Sequence, residues 1–499
     1  MLNRLLPAML LISSCAAAPS ATARLTPDQP LHGDTLLICE GGPLRVNDAV
    51  QASGRSLPRG VAPGDRVGCG QGSGSVERTV SGGNILLVII DDQGTDYVGA
   101  YGENIRPART PNIDKLASEG LLFRRAYANP VCAPTRAVLL TGQHAYRSGI
   151  GYGIRLQQDH DFELDPDAPS IPKTLAENLG DRYAKEALGK WNLSLLRDRP
   201  NDHPQRMGFD HYAGALNNTP NYYDWKKNID GQSAPITRYA TTDTTDDAID
   251  RVQNLPEPWF LWVAYHAPHA PWHEPPPNLH HVPFPDNLTN DDERMDAMVN
   301  ALDTELGRLL AAMPPEQRAH TTILVVGDNG SQTNRLQVPD VGGGKMSVRE
   351  TGIRVPFIAA GPAVRMPGSE TNALVSVVDF LPTIAELAGA PLTASQAAKA
   401  DGISFVSVLE DPTVPGESAI YTEWFSPLGS GPHTVYDQAV VETRYKLLRR
   451  FSGDRLYDLQ DRLTEGEDLL LSPLTADAEA AYQRMSATLE QFPSPIEAL

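Results

Sequence analysis

The run Ile85-Leu86-Leu87-Val88-Ile89-Ile90, followed at once by Asp91-Asp92, sets the strongest limit on what this chain can fold into. A continuous apolar run of strand length fits a strand covered on both faces, and such strands belong to parallel sheets sandwiched between helices. The two carboxylates that close the run then stand at the sheet edge, where open α/β folds gather their ligands.

The segments that follow extend this reading. Thr110 is placed to cap a helix, Pro111 suits its first turn, Ile113 and Leu116 share a face, and Gly120 can end it. Helical and strand patterns alternate through 174–179, 242–252, 260–265, 291–313, 323–326 and 355–359. Met295, Met298, Leu302, Leu306 and Leu309 recur at helical spacing and read as core-facing. After about residue 415 the pattern changes to short alternating runs such as 439–441 and 445–448, then to a helix at 476–492. The expected fold is α/β, with a mainly parallel central sheet flanked by helices and a smaller C-terminal α+β subdomain whose strands are antiparallel. The expected boundaries are 1–23 for a signal peptide, 24–83 for an N-terminal extension, 84–415 for the main domain and 416–499 for the subdomain.

Charge narrows the possible partners. With 62 acidic against 42 basic residues the formal net charge is -20, which repels nucleic acid, so an anionic ligand needs a locally positive pocket. Arg4, the apolar stretch 5–12 and the small residues after it have the layout of a secretory signal. Ile12-Ser13-Ser14-Cys15 is similar to a bacterial lipobox, while Ala21-Thr22-Ala23 offers an ordinary cleavage site; either reading exports the chain to the periplasm or a lipid anchor on the envelope. Of the four cysteines, Cys15 lies in the signal, Cys39 and Cys69 are a candidate pair in an oxidising compartment, and Cys132 stands alone.

The surroundings of Cys132 carry the chemistry. Cys132-Ala133-Pro134-Thr135-Arg136, with Leu139-Leu140-Thr141-Gly142 behind it, resembles the signature of the formylglycine-dependent sulfatases, in which this cysteine is oxidised to formylglycine. The resemblance covers most of residues 84–465, including Leu456-Tyr457-Asp458-Leu459, and implies an alkaline phosphatase-like fold. It implies hydrolysis of an aryl or carbohydrate sulfate ester, and a formylglycine-generating enzyme as the partner in maturation. It also implies a metal site of Asp91, Asp92, Asp328 and Asn329, completed by an oxygen of modified Cys132, a set that suits calcium or magnesium. Pro134 belongs in a first helical turn, so residue 132 stands at a helix N-terminus, with Arg136 expected to reach back to the hydrated aldehyde. Lys190, His269 and Lys345 match the family's substrate-sulfate positions, and His269, alone or with Lys345, is the expected proton donor to the leaving oxygen.

Two positions depart from the family pattern. Thr135 replaces the usual serine, a hydroxyl for a hydroxyl. Asn192 stands where the family usually has a histidine that helps deprotonate the diol, and an amide cannot accept that proton near neutral pH. Asn192 is therefore expected to bind rather than to act as base, leaving Lys190 and His144 as candidates for that task, or a slow enzyme, or a substrate with other demands. A phosphate or phosphonate monoester hydrolase is the competing enzyme, because both esters present tetrahedral centres to similar nucleophiles. A non-catalytic binder of sulfated glycans is the third reading. Tyr222, Tyr223, Trp225 and Trp272 are candidates to stack on a substrate ring, or to pack their loops.

Overall fold

The computed structural model describes residues 82–106, 109–154, 162–195, 201–281, 291–338, 342–460, 462 and 464–493, with the backbone of short strands earlier in the chain. The signal with Cys15, and the side chains of Cys39 and Cys69, lie outside the described residues.

The central sheet is built from β1 (Asn84–Ile90), β2 (Leu121–Tyr127), β3 (Ala184–Lys190), β4 (His211–Ala215), β5 (Trp225–Ile229), β6 (Gln232–Ile236), β7 (Trp259–Ala264), β8 (Thr321–Gly327), β9 (Arg354–Ala360) and β10 (Ser369–Thr371). Their order across the sheet is β6-β5-β4-β3-β7-β1-β8-β9-β2-β10. The middle, β4-β3-β7-β1-β8, is parallel throughout. Antiparallel pairs flank it, β4 with β5 and β8 with β9. The expected alkaline phosphatase-like α/β sheet is therefore present as a mixed, mostly parallel one.

The apolar run of β1 works as its sequence implies. Ile85, Leu87 and Ile89 join one core with Trp262, Leu324 and residues of α2 (Cys132–Thr141), including Ala133 and Leu140. Leu86, Val88 and Ile90 join the opposite core with Ile113 of α1 (Pro111–Ser118), with Ala248 and Val252 of α3 (Ala240–Asn254) and with Met298, Leu302 and Leu306 of α4 (Asp291–Ala312). Residues 85–90 are no more than 1% exposed, and each apolar side chain buried this way contributes about 1.5–3 kcal/mol. A period-2 strand between helical layers must be apolar at every position, so β1 shows no alternation.

β3 was not expected as a strand, although it lies in the middle of the sheet. Its sequence, AKEALGK, places Lys185 and Glu186 in buried positions, held by Asp210 at 3.0 Å and Arg251 at 3.5 Å. Their counter-charges come from other parts of the chain, so the strand carries no apolar pattern to read. Thr110 corrects another expectation: it occupies the N-cap position of α1, but its hydroxyl donates to Asp114 at 3.0 Å and caps no helix N–H. The carboxylate of Asp303 on α4 accepts from the backbone of Asn112 and Ile113 instead, at 2.8–3.0 Å.

After the main sheet, β11 (Ala419–Ser426), β12 (Val435–Glu442), β13 (Tyr445–Arg450) and β14 (Gly453–Asp458) form an antiparallel meander. It packs against α5 (Ala476–Leu489) through Val440, Leu447, Leu456, Ala481 and Met485, as the C-terminal pattern implies.

Candidate active site

Three chain segments meet at the carboxyl edge of the parallel core. β1 delivers Asp91 and Asp92, the neighbouring β8 delivers Asp328 and Asn329, and α2 begins at Cys132. Asp91, Asp92, Asp328 and Asn329 have no solvent exposure, and Cys132 is 3% exposed. Because β1 and β8 pair in parallel through Ile90 and Gly327, the residues that follow them lie side by side despite their distance in sequence. The Asp92 amide donates to Asp328 Oδ1 at 3.1 Å, locking the two turns together.

Cys132 is the first residue of α2, and no side chain caps this end. The unpaired first-turn N–H groups and the helix dipole therefore act on whatever residue 132 carries. The Asn192 amide donates to Cys132 Sγ at 3.2 Å from a backbone at φ 62°, a left-handed region that asparagine tolerates. Sγ marks where the oxygens of an oxidised side chain would stand. Burial raises the thiol's pKa, and Lys190 and Lys345 oppose that shift.

Basic groups interleave with the carboxylates. Lys190 Nζ pairs with Asp91 Oδ2, and Lys345 Nζ donates to Asp92 Oδ1 at 2.5 Å. His269 Nε2 stands 3.7 Å from Asp92 Oδ2, while its Nδ1 faces the Ala270 carbonyl at 2.6 Å. Burial works to raise Asp91, but Lys190, His269 and Arg136 outweigh it and hold the carboxyl below its usual range. Burial also raises Asp328, to about 7, with Asp91 adding to the shift and Arg136 opposing it. Burial works to discharge Lys345, and Asp92 outweighs it, keeping the ammonium charged.

Gly189 makes this geometry possible. Its φ is +86°, and a Cβ there would meet the Ala264 carbonyl oxygen at 2.0 Å, so only glycine lets β3 close on β7 just before Lys190.

Arg136 has partners besides residue 132, the one expected from its sequence. Its Nε and Nη2 bind Asp328 Oδ2 at 3.0 and 2.7 Å, and its Nη1 donates to the Lys190 carbonyl at 2.9 Å. The guanidinium thus ties a carboxylate to the end of β3, within electrostatic reach of residue 132. His144 is excluded as a base, because it follows the far end of α2, about 15 Å along the helix axis from Cys132. There its ring packs on Tyr421 and Phe492 with centroids at 5.0 and 5.4 Å.

Gln332 was not anticipated: its amide donates to Asp92 Oδ2 at 2.7 Å, and nothing in its sequence context marks it. Tyr222, expected as a stacking candidate, is 2% exposed and donates to the carbonyls of His266 and His269, so it braces the histidine loop. Trp225 is equally buried, with its indole N–H on the Arg238 carbonyl. Trp272 lies under the Arg335 guanidinium at 4.7 Å, and Tyr223 is 39% exposed.

The donor set fits a hard cation. Oxygens or sulfur of Asp91, Cys132 and Asp328 lie within 4.8 Å of one another, as do ligand atoms of Asp91, Asp92 and His269. Asp91 Oδ1 and Asn329 Oδ1 are buried acceptors without a hydrogen-bond partner, the condition that a bound cation relieves.

A parallel sheet edge that gathers carboxylates, lysines, an arginine and a histidine around one helix-capped side chain defines a class: hydrolase-like sites of alkaline phosphatase-like fold. A family model described as Sulfatase matches residues 83–390, and one described as N-sulphoglucosamine sulphohydrolase, C-terminal, matches residues 344–492. The chain belongs to the sulfatase family. N-acetylgalactosamine-6-sulfatase of Homo sapiens is 30% identical over 65% of this chain and 65% of its own length. Arylsulfatase A of Bos taurus is 31% identical over 62% of this chain and 64% of its own. The chain thus spans less than two thirds of the length of these curated relatives. Ps i-CgsB, solved in complex with k-i-k-neocarrahexaose, is 28% identical with a TM-score of 0.69, over 82% of this chain and 92% of that one. A protein solved with D-glucosamine-2-N, 6-O-disulfate is 20% identical with a TM-score of 0.63 over 82% of this chain and 97% of its own, a likeness of fold.

Proposed function

We propose that this protein hydrolyses a carbohydrate sulfate ester, releasing an alcohol and inorganic sulfate, with Cys132 matured to formylglycine by a formylglycine-generating enzyme. The observation that carries this reading is Cys132 at the uncapped N-terminus of α2, held by Asn192 among Lys190, Lys345 and the carboxylates of Asp91 and Asp328. Relatives named for sulfated sugars and for aryl sulfates support the substrate class.

Asp91, Asp92, Asp328 and Asn329 would hold a calcium or magnesium ion, which supplies positive charge to the attacking and transferring oxygens. Formylglycine at position 132, once hydrated, would supply a nucleophilic hydroxyl and a second hydroxyl through which the aldehyde could be regenerated. The chain's own residues prepare that exchange. Lys190 and Lys345 offer the positive field that the net charge denies elsewhere, and in a buried site such preset charge counts for more than in water. Lys345, held charged by Asp92, and His269, whose imidazolium burial disfavours and Asp92 favours, stand beside the same carboxylate as the candidate proton donors to the leaving alcohol oxygen. Arg136 fixes Asp328, and Asn192 orients residue 132 without taking its proton. Export to the periplasm, free or lipid-anchored, agrees with the signal-like start of the sequence.

The test joins mass spectrometry of residue 132 to assays on matched aryl sulfate and aryl phosphate esters. Aldehyde at 132, sulfate preference and total loss of turnover in Cys132→Ala are expected. An unmodified thiol in active material, or a phosphate preference, would overturn the proposal.

A further inference from the structure

Beside the site, one large apolar side chain stays exposed where the charged cluster ends. Met346 follows Lys345 directly and is 45% exposed, an unusual place for a large apolar side chain. It also holds a left-handed backbone at φ 68°, a strained conformation that L side chains rarely adopt. Its amide donates to the Pro130 carbonyl at 2.8 Å, two residues before Cys132, so Met346 borders the reacting position. Strain of this kind persists where the surroundings impose it, and it clusters at ligand-binding positions.

Met346 has company from distant parts of the chain. The Tyr152 hydroxyl donates to Met346 Sδ at 3.2 Å, and the Tyr152 ring stands 6.0 Å from that of Trp424, tilted by 37°. Trp424 comes from β11 of the C-terminal meander, where it is half-buried against the cluster of Tyr127, Ile420 and Tyr457. The amide of Phe425 donates to the Gly151 carbonyl at 3.1 Å, which fixes the tyrosine segment to the tryptophan strand. Met346, Tyr152 and Trp424 therefore form a contiguous strip from the loop beside residues 130–132 to the first strand of the C-terminal meander.

We propose that this strip is a saccharide subsite: it receives the pyranose ring next to the sulfated sugar, so that the substrate is an oligosaccharide rather than an isolated sulfated monosaccharide. A pyranose has an apolar C–H face and a polar rim, which match aromatic faces and a thioether edged by a phenol hydroxyl. Continuity with the charged site selects this occupant, because the ring adjoining a bound sulfate ester has to pass the residue beside Lys345. The inference rests on the sulfatase reading only for which sugar is sulfated.

Trp424→Ala and Met346→Gly test it in the mature protein; glycine suits φ 68° and relieves the strain, so the second variant cannot fail through its backbone. Binding is measured by calorimetry on galactan- and glycosaminoglycan-derived sulfated oligosaccharides in a Cys132→Ala background, and turnover is measured with 4-nitrophenyl sulfate in the active protein. Each variant is expected to weaken oligosaccharide binding about tenfold, and Trp424→Ala, which lies away from the reacting position, to leave 4-nitrophenyl sulfate turnover unchanged. Unchanged oligosaccharide affinity, no binding of any oligosaccharide by the parent, or equal losses on both probes would overturn the subsite. Trp424-dependent binding by a protein that hydrolyses neither ester would instead uphold the subsite and sink the sulfatase assignment.

Discussion

Asn192 is the residue where physical chemistry presses hardest on the mechanism. Its amide reaches Sγ of Cys132 at 3.2 Å, so it occupies the position from which a base would take the diol proton, yet an amide has no basic lone pair near neutral pH. Asn192→His is expected to raise single-turnover sulfate release by about a hundredfold, the low end of what a positioned base contributes. A release rate that stays level or falls in stopped-flow measurements would show that another group already fills the role. Gln332 acts at the same scale from the other side. It is one of the donors on Asp92, with Lys345 and Asn329. Removing it in Gln332→Leu leaves Asp92 Oδ2 short of a donor, so metal affinity is expected to fall while the fold persists, read by calcium titration of the purified variant.

At the level of elements, helix ends and strand ends are fixed by partners far away in sequence. The N-terminus of α1 is capped by Asp303 on α4, not by its own Thr110. Asp303→Ala is expected to cost about 1–3 kcal/mol, and Asp303→Asn less, in urea unfolding. Where the main sheet meets the C-terminal meander, Glu417 and Asp379 share a hydrogen bond, and burial followed by Asp379 raises the Glu417 pKa well above its ordinary 4.5. A raised folded-state pKa means that the native protein holds the proton more tightly than the unfolded chain. Its contribution is complete below the ordinary carboxyl range and is lost as pH climbs above it. Melting temperature is therefore expected to fall between mildly acidic and alkaline pH, and Glu417→Gln to flatten that slope; an identical slope in the variant would remove this pair from the account.

For the whole molecule, a formal charge of -20 coexists with a buried site in which Lys190, Lys345 and Arg136 offset Asp91, Asp92 and Asp328. Those pairs balance charge within the site, while the unpartnered Asp91 and Asn329 oxygens leave a place for a cation. Calcium or magnesium is expected to raise the melting temperature in a concentration-dependent way, equivalent to about 2.7 kcal/mol at about 100 times the Kd, and a chelator to reverse it. A melting temperature indifferent to both ions would refute the metal site. The sequence by itself determined that Asp91-Asp92 and Asp328-Asn329 end buried strands and that Cys132 opens a helix, because an apolar run and its polar stop are written in adjacent residues. Only the tertiary structure decided that Arg136 grips Asp328 across 192 positions, that Gln332 reaches Asp92 across 240, and that polar β3 lies mid-sheet. Those facts depend on which distant side chains satisfy one another once water is gone, and a buried charge leaves no local pattern to announce its partner.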